Sequence, residues 1–174
     1  MTADERLCRD ALRAAEAGAG GPIERHSERV ARLALALAGA RDADAELVRC
    51  AAWLHDIGLF DGPGAKQAYV TTGRARVHAL LAHWEPARLQ RCADAVELHH
   101  TLRSQAALGL EVELLRLADR VEVSQGLLTA GLPRATVRAI RSAVPVRGFV
   151  PAVLRGLGRS ARHRPRSLWR IFRP

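Results

Sequence analysis

A histidine and an aspartate stand side by side at residues 55 and 56, inside the apolar stretch CAAWLHDIGLF of residues 50–60. Charged side chains are rarely buried without a partner, because removing an ion from water is costly unless a counter-charge or a metal compensates it. Neighbouring helical residues diverge by about 100°, so both side chains can reach one point only beside the edge of the helix. A divalent metal ion at that point would satisfy both groups, since imidazole and carboxylate together suit Mn²⁺, Fe²⁺, Zn²⁺ or Ni²⁺.

Two more polar residues lie on apolar helical faces elsewhere in the chain. His26 precedes Val30 and Leu33 by four and seven residues, so it projects from the apolar side of its helix. Asp119, in LLRLADRVEVS, follows Leu115 by four residues. With the His-Asp pair, these residues would form a two-histidine, two-carboxylate metal site that leaves coordination positions for water.

Each candidate ligand also has an ordinary structural explanation. A single histidine on an apolar face is more often a satisfied core residue than a metal ligand. Asp119 stands beside Arg116 and Arg120, so it could instead belong to a surface ion pair. The four residues favour a metal site only when they are taken together.

The elements that must position these residues are predicted to be helices. Apolar residues recur at helical spacing along most of the chain, and no stretch alternates as a strand would, so we expect an all-α fold. The third helix is expected to begin at a cap, either Asp42 or Asp44, and to end at the HDIG segment. The others are expected over roughly residues 4–17, 23–39, 68–84, 86–101, 110–129 and 133–142.

Length and composition favour one compact domain. The 174 residues are 48% hydrophobic, no window of 18 residues is uniformly apolar, and the start MTADERLCRD does not resemble a signal peptide, so we expect a cytoplasmic protein. Cys8, Cys50 and Cys92 lack CxxC spacing and are predicted to be packing residues.

The net charge of +9 is a property of the C-terminal end. All 18 acidic residues precede residue 147, whereas residues 147–174 contain eight arginines and no acid. We therefore divide the chain into a helical domain at residues 1–146 and a partly extended, Arg-rich tail at residues 147–174, with a short helix near 150–157. Trp169 and Phe172 among the arginines could serve nucleic-acid or anionic-membrane contact, although most charged runs are simply solvated.

Four segments, ERHSERVARLALALA, AAWLHDIG, AVELHHT and LLRLADR, resemble in this order the HD-domain superfamily of metal-dependent hydrolases. The resemblance covers roughly residues 22–125. It implies an all-helical HD-type bundle in which His26, His55, Asp56 and Asp119 hold a divalent metal ion, which could also be Mg²⁺. Such an ion lowers the pKa of its bound water from about 16 toward 7 and so provides hydroxide near neutral pH.

Members of the superfamily with two metal ions add histidines between the doublet and the last aspartate. The resemblance therefore makes His78, His99 and His100 candidate ligands of a second ion, with His83 competing with His78. Helical spacing favours His78, because His83 falls at the expected end of its helix. An ordinary helix-end role remains the alternative for these histidines.

The resemblance implies hydrolysis but leaves the substrate open. No GYP motif follows the HH pair, which disfavours the cyclic-di-GMP branch, and residues 57–60 after the doublet lack the paired acids of the guanosine tetraphosphate branch. The C-terminal part resembles an uncharacterised branch that is related to cyanamide hydratase. We expect a phosphohydrolase that acts on a nucleotide or small phosphoester. The alternatives are hydration of a small nitrile and a non-catalytic metal-binding or ligand-binding regulatory module.

A phosphoester substrate requires cations that neutralise the phosphoryl oxygens. The candidates are Arg29, one turn after His26, Lys66 in the loop FDGPGAKQ, and Arg103 after HHT. With Asp56, the residues Arg29 and Lys66 make up the predicted catalytic set.

Overall fold

The computed structural model describes residues 1–60, 69–146, 148 and 151. In this part of the chain there are seven α-helices and no strand, which confirms the all-α prediction. The helices are α1 (Ala3–Glu16), α2 (Pro22–Ala38), α3 (Ala45–Leu54), α4 (Tyr69–Leu80), α5 (Pro86–Leu98), α6 (Leu110–Val123) and α7 (Arg134–Ala143). Two short 3-10 helices cover Ile57–Phe60 and Ala106–Leu108.

Helices α2, α3, α5 and α6 surround the core. Helix α2 packs on α3 and α6, and α5 packs on the same two helices from the other side. Helix α1 covers α3, α4 covers α5, and α7 lies against α2. Leu33, Leu54 and Leu115 are fully buried between these layers. Residues on the inner faces of α2 and α6, and at the ends of α3 and α5, are therefore brought together.

Asp44 is the cap that begins α3, and Asp42 is not. Its carboxylate accepts a hydrogen bond of 2.9 Å from the backbone N–H of Leu47. Arg88 of α5 donates to the same carboxylate at 2.6 Å, and this bond is the main cause that lowers the pKa of Asp44. A cap of this kind contributes about 1 kcal/mol, and here it also ties α3 to α5.

Three helices end earlier than predicted. Helix α4 ends at Leu80, so residues 81–84 lie outside it, and α5 ends just before His99. Helix α6 ends at Val123 although Leu127 and Leu128 continue the apolar pattern, because both leucines are exposed at the surface. Apolar spacing alone therefore overestimated the length of the helix.

The three cysteines are free and buried, which confirms that they are packing residues. Among the described residues, no helix combines the length and apolarity that are needed to cross a lipid bilayer. Lys66 and nearly all of the predicted tail lie outside the described residues, so the predictions made for them, including the division at residue 146, remain predictions.

Gly58, two residues after the His-Asp doublet, allows a close approach of two backbone segments. A Cβ atom added at this position would lie 2.1 Å from the carbonyl oxygen of Tyr69. Real Cβ atoms do not come so close to backbone atoms, so the first turn of α4 can reach the doublet only beside a glycine.

We predict that Gly58→Ala lowers the free energy of unfolding by about 3 kcal/mol, because the clash is with backbone rather than with a flexible side chain. For a chain of this size, that loss lowers the Tm by roughly 6–12 °C. Thermal unfolding followed by circular dichroism measures the change. Gly131→Ala is the control, because its Cβ would meet open space and only its positive φ opposes the change. Equal losses in the two variants would show that the contact between Gly58 and Tyr69 has no special effect.

Candidate metal centre

The four predicted ligands converge in the core. Nε2 of His26 lies 3.0 Å from Nε2 of His55 and 3.3 Å from Oδ1 of Asp119. Oδ2 of Asp56 lies 3.5 Å from Nε2 of His55. All four side chains are buried, so Asp119 does not belong to a surface ion pair.

The fold explains how residues so far apart in the chain meet. His26 on α2 and Asp119 on α6 face each other because these two helices pack directly together. His55 is the C-cap of α3, and Asp56 leads into the 3-10 helix that follows. Neighbouring residues inside a helix diverge by about 100°. Because α3 ends at the doublet, the side chains of His55 and Asp56 can nevertheless reach one point.

Two further histidines join this cluster from the end of α5. Nε2 of His99 lies 3.8 Å from Oδ1 of Asp56, and Nδ1 of His100 lies 3.3 Å from Oδ2 of Asp119. Among the described residues, three sets of ligand atoms lie within 4.8 Å of one another and could hold a metal ion. They are His26, His55 and Asp119; His55, Asp56 and His99; and His99, His100 and Asp119. The sets share members, so the cluster has enough donors for one ion or two.

The structure does not place His78 and His83 in the cluster. His78 is exposed on α4, and His83 is exposed beyond the end of that helix. The ring of His83 contacts the carboxylate of Asp4 at 3.1 Å, at the surface. The prediction that His78 or His83 is a ligand is therefore wrong for this arrangement, because the solvent-facing side of α4 was taken for its inner side.

Backbone carbonyls orient two of the imidazole rings. Nδ1 of His55 lies 2.7 Å from the carbonyl oxygen of Ala52, and Nδ1 of His99 lies 2.6 Å from that of Val96. A carbonyl can only accept, so Nδ1–H is the donor in both rings and Nε2 carries the lone pair. Each lone pair therefore faces the cluster, as metal-binding histidines require.

The cluster contains buried polar atoms that a cation would satisfy. Oδ1 of Asp119 and Nε2 of His99 accept no hydrogen bond from the described residues. A buried polar atom without a hydrogen bond costs about 1–3 kcal/mol, and more if it is charged. A metal ion provides the missing interaction, and imidazole with carboxylate is a common donor set for divalent ions. The residues present therefore fit a metal ion.

The buried histidines differ in protonation, because burial lowers their pKa values and nearby carboxylates raise them. Burial would lower the pKa of His26, but its contacts with Asp119 and Glu122 outweigh burial and raise this pKa to about 9. Burial lowers the pKa of His55 and of His99, so both rings are neutral at pH 7. Burial would raise the pKa of Asp119, but the close contacts of its carboxylate with the rings of His100 and His26 lower it well below its usual value. The cluster therefore offers neutral imidazoles and ionised carboxylate, and His26 holds a proton that a metal must displace.

Glu122, which the sequence analysis missed, lies behind His26. Its Oε1 is 4.0 Å from Nδ1 of His26 and accepts a hydrogen bond of 2.7 Å from Nε of Arg29. Arg29 also donates to the carbonyl oxygens of Val144 and Pro145, at 3.3 and 2.9 Å. The prediction that Arg29 neutralises a substrate phosphate is wrong, because its guanidinium is fully buried on the Nδ1 side of His26, away from the cluster. The three-residue spacing from Asp119 to Glu122 on one apolar helix was the available signal.

Tyr69, also missed, borders the cluster at the start of α4. Its hydroxyl is hydrogen-bonded to Nε2 of His100. Burial, followed by the charges of Asp56 and Asp119, raises the pKa of Tyr69 well above its usual value, so it is neutral. His100 is 22% exposed, whereas His26, His55 and Asp119 are 2% exposed or less. The side of the cluster formed by His100 is therefore its opening to solvent.

In a comparison with known protein families, residues 23–124 match a family described as HD domain. This range covers most of the chain and contains all of the clustered residues. A search of curated proteins gave no match.

We predict that His55→Ala and Asp119→Asn lose stoichiometric metal while keeping the helical fold, because each removes a ligand that two of the three sets contain. Elemental analysis of the purified variants, with circular dichroism as the check on folding, measures the effect. His78→Ala is the matched control and should keep the metal content of the parent, since His78 is exposed on α4. Full metal content in Asp119→Asn would refute the assignment.

We predict opposite effects of pH on the metal-free and metal-loaded protein. The pKa of His26 rises from 6.5 to about 9 on folding, so its stabilisation of the metal-free protein is complete below pH 6.5 and is lost as pH rises through about 9. The pKa of His100 is also raised, so its contribution to the stability of the metal-free protein is likewise lost as pH rises. A metal bound by His26 must displace the proton of this ring, so its apparent affinity should rise about tenfold per pH unit up to about pH 9.

Melting curves at pH 7 and pH 9, with and without a chelator, measure both trends. The Tm of the chelated protein should fall with rising pH, and the increase in Tm that the metal produces should grow. A chelated protein with the same Tm at both pH values would contradict the protonated His26.

Proposed function

The chain belongs to the HD-domain family, and we propose that its cluster is the catalytic centre of a phosphohydrolase that acts on a nucleotide or another small phosphoester. The family is one of metal-dependent hydrolases. The observation that supports catalysis here is the convergence of His26, His55, Asp56 and Asp119, with an Asp119 oxygen and a His99 nitrogen left for a cation.

His26, His55, Asp56 and Asp119 would hold the metal, with His99 and His100 available for a second ion. A divalent ion at such a centre acts as a Lewis acid and lowers the pKa of water from about 16 toward 7. The hydrogen bonds of His55 and His99 to helix carbonyls fix the two rings before any metal arrives. That preorganisation avoids the free-energy cost of ordering the ligands during binding.

Tyr69 would contact the substrate, and His100 would support Tyr69. They form a hydrogen-bonded pair at the opening of the cluster, and Asp119 holds the other ring nitrogen of His100. Both ring nitrogens of His100 are already bonded, so the phenol would bond a substrate oxygen while His100 holds the phenol in place for a substrate that enters from solvent. Asp119 would then act twice, as a metal ligand and as the group that positions His100.

Neutralising a phosphoryl group still requires a cation at the opening. Arg29 cannot provide it, because its guanidinium lies behind His26 against Glu122. Arg103 is exposed three residues after His100, and Lys66 precedes the first residue of α4 by three positions in the sequence. We propose Lys66 and Arg103 as the residues that contact phosphate.

Hydration of a small nitrile is the second candidate. The position of Arg29 favours it, since a neutral substrate does not need the cation that Arg29 was expected to supply. The C-terminal resemblance to the cyanamide hydratase branch points the same way.

We predict that the protein loaded with Mn²⁺, Fe²⁺, Ni²⁺ or Zn²⁺ hydrolyses phosphomonoesters or nucleotides and does not hydrate cyanamide. Conversion of the phosphoester to its hydrolysis products, followed by chromatography, and release of urea from cyanamide distinguish the two reactions in one screen. Mutating a residue that only supports a metal ligand typically lowers activity by about 10–100-fold. Asp119→Asn should lower activity by more than this, whereas His78→Ala should have the activity of the parent. Tyr69→Phe should raise KM more than it lowers kcat, because it removes a positioning contact.

Urea without hydrolysis of a phosphoester would assign the nitrile reaction instead. A stoichiometric metal with neither product, across all four ions, would leave a metal-binding regulatory module and refute the catalytic proposal.

A further inference from the structure

A region rich in arginine lies at the end of α6, separate from the His-Asp cluster. A groove of about 340 Å³ opens there between the turn that follows α6 and one face of α7. Its lining residues are Gln125, Gly126, Arg134, Val137, Arg138, Arg141 and Ser142. The set includes three arginines and no acid, and it contains none of the clustered metal ligands.

The arginines of the groove lie on one face of α7. Arg134, Arg138 and Arg141 are spaced by four and three residues, which places them one above the other along the helix. Arg134 and Arg138 are exposed and form no hydrogen bond or ion pair with the described residues. By contrast, Arg74 and Arg88 each bond two carboxylates. The positive charge of the groove is therefore largely uncompensated.

The third arginine is held in place from within the fold. Nη1 of Arg141 donates to the carboxylate and the backbone carbonyl of Glu122, and Nη2 donates to Oε1 of Gln125 at 2.7 Å. These contacts use three of the five N–H donors of the guanidinium. The remaining donors belong to a side chain that has already lost its rotational freedom, so a ligand would bind them at a lower entropic cost.

The floor of the groove is a constrained turn. Gln125 has φ +58° and Gly126 has φ +80°, so two successive residues are left-handed directly after α6. A Cβ atom added at Gly126 would lie 3.1 Å from Cγ1 of Val137, so the turn packs closely on α7. A non-glycine residue in this conformation is strained, and such strain is often found at ligand-binding turns.

We propose that this groove binds a phosphate group, carried either by a small soluble molecule or by a lipid headgroup. Planar guanidinium groups match the geometry of phosphate oxygens and bind them with two donors each. A volume of 340 Å³ is at the small end of the range for ligand sites, as expected for a phosphate with a small substituent. The proposal does not rest on the catalytic function, because the two sites share no residue.

The lipid source has its own structural basis. Leu127 and Leu128 follow the floor of the groove directly and are 78% and 50% exposed. Apolar side chains beside a basic groove could enter the surface of a bilayer while the arginines bind its headgroups.

The test is a titration of the full-length protein with inorganic phosphate at constant ionic strength, followed by the ¹⁵N amide shifts of Gly126 and Ser142. We expect saturable shifts at these amides and at least about tenfold weaker binding in the double variant Arg134→Gln/Arg138→Gln, because hydrogen bonds to charged groups are lost. Arg6→Gln/Arg32→Gln is the matched control. It removes the same charge from exposed positions on α1 and α2 and should bind phosphate as the parent does.

A second measurement identifies the source of the phosphate. Co-sedimentation with phosphatidate vesicles, compared with phosphatidylcholine vesicles, should be abolished by Leu127→Ser/Leu128→Ser if the ligand is a lipid headgroup. If the ligand is soluble, phosphate still shifts the groove amides and the vesicles bind no better than the control lipid. An equal loss of phosphate affinity in the groove variant and in the control variant would overturn the proposal. Phosphate-induced shifts confined to amides near His99 would overturn it as well.

Discussion

The burial of one carboxylate, that of Asp119, is the constraint on which the rest of the molecule depends. A carboxylate this deep in the core is unstable unless positive charge surrounds it. The fold supplies that charge from two directions, with His26 from α2 and His100 from the end of α5. Packing of α2 on α6, and of α5 on α6, is therefore required by electrostatics as well as by the apolar core.

A second layer of charge stabilises the first. Glu122, one turn after Asp119, is fully buried and is bonded by Arg29 and Arg141. Without these two guanidinium groups, the carboxylate of Glu122 would add an uncompensated negative charge beside the buried acids Asp56 and Asp119. The pairs that seem peripheral to the cluster thus keep its charges balanced, which explains why so polar a centre can lie inside a bundle of alanine- and leucine-rich helices.

The sequence was sufficient to predict the helices and the convergence of four polar residues in the core, because apolar periodicity indicates which side of a helix faces inward. His26 and Asp119 stood on such faces, and both are buried. Periodicity did not distinguish His78 from His99, since both are close to apolar neighbours and only tertiary packing shows which side of α4 meets solvent. Tyr69, Glu122 and the true position of Arg29 depend on contacts between distant segments, which no local pattern contains.

The bonds from Arg29 to the carbonyls of Val144 and Pro145 have a consequence for how the molecule is made. The donor and the later acceptor are 116 residues apart in the chain. At a synthesis rate of about 5–20 residues per second, Arg29 waits roughly 6–23 s for its last partner to be polymerised. Throughout that interval the guanidinium of Arg29 lacks its acceptor at Pro145. For most of the same interval, Asp119 has not been synthesised and His26 lacks its contact with that residue. A nascent chain that ends before residue 119 therefore lacks Asp119, so a metal site that includes this carboxylate would be completed only late in synthesis.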